Sequence, residues 1–137
     1  MIKRNVLLKF IQIIINREKE KNMKRYLFVI EIKPEFLKDY INIHNNPWTE
    51  LLEEIKNAGA KELMIWNYKN LSIVYYECED IDKIYKHMGE TEVNKRWNMV
   101  VSPWFEDSPS LDGSSSVATC EKIFDLNQQI KGRLEQF

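Results

Sequence analysis

Two segments of this chain, RYLFVIEI (Arg25–Ile32) and LSIVYYEC (Leu71–Cys78), are rich in β-branched and aromatic residues and read as strands. A strand sends alternate side chains to opposite faces. In the first, Tyr26, Phe28, Ile30 and Ile32 point one way and Leu27 and Val29 the other, so both faces are apolar. A sheet built on such strands needs cover on both sides. That requirement bears on a chain of 137 residues, enough for one domain with a modest core.

Helical patterns supply cover for one face. From Glu35 to Ala58, apolar residues recur at spacings of three and four: Leu37, Tyr40, Ile41, His44, Trp48, Leu51, Leu52 and Ile55. At about 100° per residue they form one stripe. Pro47 would clash with the Ile43 carbonyl in a continuous helix. Two helical pieces are therefore expected, with Asn46 capping the second and Pro47 as its first residue. Gly59 ends it. Lys61–Trp66 and Leu71–Cys78 form an antiparallel hairpin across a short turn near Asn67–Asn70. Asp80 caps a second helical region carrying Ile81, Ile84, Tyr85 and Met88; Gly89 interrupts it, and Thr91–Val101 resumes with Val93 and Trp97 in phase. Pro103–Ser116 is a loop by composition. Val117–Leu126 is expected to be the last strand, and Asn127–Phe137 a loose helical tail.

The order strand, helix, strand, strand, helix, strand is the ferredoxin-like βαββαβ arrangement, an α+β fold with a four-stranded antiparallel sheet. Two helices cover one face of that sheet. For the other, a second subunit is the simplest cover, so a homodimer packed sheet to sheet is expected.

Residues 1–22 stand apart from the domain at 23–126 and the tail at 127–137. Lys3 and Arg4 before an apolar run from Val6 to Ile15 imitate a signal peptide, but Lys9 and Gln12 interrupt the run and no small-residue cleavage site follows. The run is far short of a membrane span. It reads as an added amphipathic helix or an extended start, with Met23 a candidate initiator. A cytoplasmic protein with no membrane partner is expected.

The formal net charge of −1 gives no overall basicity for nucleic acid. Cys78 and Cys120 have neither metal-ligand nor disulfide-framework spacing, so a reduced thiol pair is expected and no protein-made metal site. No glycine-rich phosphate loop or Ser-His-Asp spacing is visible. The chemistry narrows to a few residues. His44 lies on an apolar helical stripe, where a histidine is ordinarily a satisfied core residue and otherwise an acid/base. His87 looks solvent-facing. Tyr40, Trp48, Trp66, Trp97 and Trp104 line either a pocket or the core. Glu77 continues the face of Leu71, Ile73 and Tyr75, so its carboxylate either finds a partner or meets water at the sheet edge.

From Met23 to about Leu126 the chain resembles the L-rhamnose mutarotases. The most specific stretch is Y-x-x-x-H-N-x-x-W-x-E-L, here Tyr40, His44, Asn45, Trp48, Glu50 and Leu51. Gly59-Ala60, Asn70-Leu71, Glu77, Arg96-Trp97 and the closing Glu121-x-Ile123-Phe124-x-Leu126 also fit. The resemblance implies a dimeric α/β barrel that interconverts the α and β anomers of a 6-deoxy-L-sugar without a cofactor. It implies His44 as proton donor and Tyr40 and Trp97 as sugar contacts, with Trp48, Asn98 and Glu77 as further candidates for the sugar site. Two positions depart from the rhamnose pattern. Asn98 stands where the family has a second tryptophan, and Leu63 where it has a substrate-contacting tyrosine. Glu62–Trp66 and the short turn before Asn70 look nearer a sister group acting on L-fucose. Non-catalytic ligand binding on the same barrel, and cofactor-free oxygenation of an aromatic polyketide, are the rival functions.

Overall fold

The computed structural model describes residues 4–107 and 109–135, so the outermost residues of the extension and of the tail, and Ser108 in the predicted loop, lie outside the described residues. Three strands, β1 (Lys24–Glu31), β2 (Glu62–Tyr68) and β3 (Leu71–Cys78), form one antiparallel sheet in the order β1-β3-β2. The register sets Phe28 and Ile65 on either side of Val74. β2 and β3 join through a tight turn in which Lys69 takes a left-handed φ of 54°. The Asn67 side chain donates to the Lys69 and Leu71 carbonyls at 2.9 and 3.2 Å and holds that turn.

Helices cover one face. A 3-10 turn (Pro34–Phe36) leads into α2 (Leu37–Asn45), followed by α3 (Thr49–Asn57), α4 (Ile81–Gly89) and α5 (Glu92–Val101). The core lies between them and the sheet: Phe28, Ile30, Val74 and Tyr76 from the strands meet Tyr40, Leu51, Ile84, Met88, Val93 and Trp97 from the helices. The expected Asp80 cap forms, and Thr91 caps the resumed helix as well. The Asp80 carboxylate accepts from the Asp82 and Lys83 amides, and the Thr91 hydroxyl accepts from the Asn94 amide.

The break at Pro47 is present but falls differently from expectation. Asn46 ends α2, its amide donating to the Asn42 carbonyl at 3.2 Å, and does not cap α3. Pro47 lies in the link, and α3 begins at Thr49 after an extended Trp48. The residue before a proline is pushed out of the helical region, which stops α2 one residue earlier.

A larger correction concerns Val117–Leu126. No fourth strand forms: 116–125 has no regular structure, and Leu126 instead opens α6 (Leu126–Leu134), capped by the Asp125 side chain. The segment runs beside the outer edge of β1 with one bond across, from the Cys120 amide to the Leu27 carbonyl at 2.6 Å. Val117 is buried, but Ile123 and Phe124 are 89% and 66% exposed. A strand pair is held by side-chain packing as much as by its ladder, and these side chains have nothing to pack on within one chain.

The other sheet face is uncovered. Leu27, Val29, Met64 and Trp66 on it are exposed by 38, 46, 41 and 53%. The extension forms α1 (Arg4–Asn22), whose apolar residues from Val6 to Ile15 are exposed and take no part in the core. No described helix is long and apolar enough to cross a membrane.

The loop before Val117 passes closely over α4. A Cβ at Gly89 would lie 1.8 Å from the Asp112 carbonyl oxygen and 2.7 Å from its carbon. Both are backbone atoms, so Gly89→Ala is expected to cost at least about 1–3 kcal/mol. A denaturation midpoint equal to wild type would contradict that contact.

Candidate active site

Between the helices and the sheet lies a cavity of about 400 Å³. Its wall brings together five of the residues expected from sequence: Tyr40 and His44 from α2, Trp66 from β2, and Trp97 and Asn98 from α5. Leu63 from β2 also lines it. Among the described residues, no Asp, Glu, Lys or Arg does.

His44 sits in the last turn of α2, half-buried, with its ring 4.2 Å from that of Tyr40 and 5.2 Å from that of Trp97. Its Nδ1 lies 2.7 Å from the Tyr40 carbonyl oxygen, one turn back along the helix. A carbonyl only accepts, so Nδ1 carries the hydrogen and Nε2 is the basic nitrogen of the neutral ring. Burial pushes the imidazole below its ordinary value of 6.5, and the bond to the Tyr40 carbonyl opposes this. The ring is thus neutral near pH 7, with a proton-accepting Nε2.

The rest of the wall is largely apolar and carries paired hydroxyls. Tyr40 and Ser72 share a hydrogen bond at 2.7 Å, and Tyr76 and Tyr85 share another at 3.0 Å. Burial raises the Tyr40 phenol, while the Ser72 hydroxyl partly offsets it. Burial also pushes Tyr76 up to about 12 and Tyr85 well above its usual value. All three tyrosines therefore stay protonated and neutral. The surface offers hydroxyls and amides beside aromatic faces, which suits a small uncharged polyol.

Two expected residues lie elsewhere. Trp48 braces the site from outside: its ring meets Trp97 edge to face at 5.3 Å, and Arg96 lies over it at 5.7 Å. Arg96 in turn pairs with Glu50 at 2.9 Å, tying α5 to α3. Glu77 is not at the cavity. It projects from the uncovered face of β3, where it accepts from the Tyr75 hydroxyl at 2.6 Å and lies 3.6 Å from Arg25. The partner that its carboxylate requires is thus supplied there, and the alternation of β3 excludes it from the helix-covered side. His87 likewise has a local partner, Glu54 at 3.0 Å.

Sequence reasoning passed over Ser72, Tyr76, Tyr85 and Asn94, which complete the wall. The signal for two of them was available. Ser72 occupies an inward position of β3 in line with Val74 and Tyr76, and Asn94 shares the inward stripe of α5 with Trp97 and Val101. A polar residue at a core position calls for a partner or a ligand. Among the described residues, no group of three His, Cys, Asp or Glu side chains is placed to hold a metal ion.

Residues 25–126 match the model of the family described as L-rhamnose mutarotase. A curated L-rhamnose mutarotase from Pectobacterium carotovorum is 33% identical over 107 residues, covering 77% of this chain and all of that protein. One from Oceanobacillus iheyensis is 33% identical over 93 residues, covering 64% of this chain and 88% of that protein. Among solved structures, an L-rhamnose mutarotase from Formosa agariphila superposes with a TM-score of 0.58 at 19% identity, covering 75% of this chain and 98% of that one. At that identity the likeness speaks for the fold, which is α+β and ferredoxin-like.

Proposed function

The chain belongs to the L-rhamnose mutarotase family, and from that premise we propose that it is an isomerase interconverting the α and β anomers of L-rhamnose by proton transfer through His44. The observation that carries the reading is the basic Nε2 of His44, set beside the Trp97 ring in a cavity that no Asp, Glu, Lys or Arg among the described residues lines.

The chemistry follows from the arrangement. Nε2 takes the proton of the anomeric hydroxyl, and the C1–O5 bond breaks as the carbonyl forms. The imidazolium then returns the proton to O5, so the net change is one proton moved from O1 to O5. Both oxygens are bonded to C1, so one imidazole reaches each in turn. Rotation about C1–C2 presents the other carbonyl face, and the same steps reversed close the ring as the other anomer. Trp97 stacks on the apolar face of the sugar, methyl group included, and Tyr40 bonds a hydroxyl. No step calls for a redox cofactor or a charged clamp.

L-Fucose is the second reading, favoured by the position of Leu63 and Asn98 on the cavity wall. These are the two places where the chain departs from the rhamnose pattern, and the two sugars differ in hydroxyl stereochemistry. Exchange NMR on L-rhamnose, L-fucose and a few other aldoses measures anomer interconversion directly. Acceleration of L-rhamnose is the expected result. Acceleration of L-fucose alone would replace the substrate, and acceleration of none would leave a binding module.

The uncovered sheet face supports a homodimer packed sheet to sheet, in the manner of a dimeric α/β barrel. Leu27, Val29, Met64 and Trp66 give a contiguous apolar surface of the kind that marks an interface.

A further inference from the structure

Most polar groups on the cavity wall are already committed to one another. Tyr40 is bonded to Ser72, Tyr76 to Tyr85, and His44 Nδ1 to a carbonyl of its own helix. Asn94 is different. It is only 5% exposed, sits on the inward stripe of α5 one turn before Asn98, and lines the cavity. Its backbone amide is used by the Thr91 cap. Its side-chain Nδ2 is buried with no hydrogen-bond partner among the described residues.

A buried amide left unbonded is costly, and native structures pair nearly all such groups. Leucine would match its shape without that cost. The amide presents a donor and an acceptor side by side, which matches two neighbouring hydroxyls of a sugar.

We propose that Asn94 is a further sugar-binding residue, whose amide bonds substrate hydroxyls and so reads their stereochemistry. The proposal rests on the aldose reading of the cavity. It assigns hydroxyl recognition to α5, the helix that also carries the lining residues Trp97 and Asn98.

The test compares wild type with Asn94→Leu, and with Asn94→Ala should the leucine variant not fold. The sugar that wild type accelerates is used, together with its monodeoxy analogues. A rise in KM of about tenfold or more is expected, with kcat changed much less, as for an interaction present in ground and transition states alike. The ligand-free leucine variant should melt at or above the wild-type temperature, because it replaces an unbonded amide. The deciding readout is the analogue series. One or two deoxy sugars should be penalised in wild type but not further penalised in the variant. If every deoxy analogue loses the same factor in both proteins, Asn94 touches no hydroxyl and the proposal fails. An unchanged KM for the parent sugar would overturn it as well. If wild type accelerates no aldose, the failure belongs to the mutarotase reading beneath it.

Discussion

His44→Ala is expected to lose at least about a hundredfold of the anomer exchange that wild type supports, the lower end of what a positioned acid/base contributes. The ring contacts of His44 are to Tyr40 and Trp97 at the cavity edge, so the fold should survive. Circular dichroism of the variant would check this. Retained exchange in a folded variant would remove His44 from the mechanism. The pH profile offers a second view of the same residue. Because burial lowers the imidazole, the neutral, proton-accepting form persists below pH 6.5. The acid limb of the enzyme-dependent rate should therefore fall below that value. Stability follows the same sign: the folded value lies under the unfolded one, so protonation favours the unfolded chain. The contribution is fully present above pH 6.5 and is lost as pH falls through the depressed folded value. An acid limb centred above 6.5 would assign the titration to another group.

Val29→Lys is expected to give a monomer where wild type forms the proposed sheet-to-sheet homodimer. Val29 is 46% exposed in the single chain and faces Ile73 across the β1–β3 pair, on the uncovered side of the sheet. A lysine there would place an unpaired charge within an apolar interface. Light scattering behind size exclusion should report about twice 16.5 kDa for wild type and 16.5 kDa for the variant. A wild-type monomer at working concentration would refute the dimer. The cavity lies on the opposite side of the sheet, so a comparison of exchange rates would show whether catalysis depends on assembly.

These expectations draw on what could be read in advance. Period-two and period-three-to-four patterns are local, and they located all three strands, the helix break and both halves of the second helical region. The two apolar faces of β1 and β3 were equally legible, because side-chain alternation in a strand leaves no freedom. Val117–Leu126 was misread because its composition suits a strand but its side chains lack a packing surface within one chain. Glu77 was placed on its correct face, yet that face is not the one beside the helices. His44, Tyr40 and Trp97 converge because α2 and α5 lie on one side of the sheet, which topology alone makes plausible. Asn94 escaped notice although its place on the apolar stripe of α5, with Trp97 and Val101, marked it as a polar residue at a core position.

The uncharged wall of the cavity has a bearing on how substrate arrives. Salt acts on encounter rates by screening fields between charged partners. The proposed sugar carries no charge, and no Asp, Glu, Lys or Arg among the described residues lines the cavity. Capture then depends on diffusion and fit alone, and ionic strength has almost nothing to act upon.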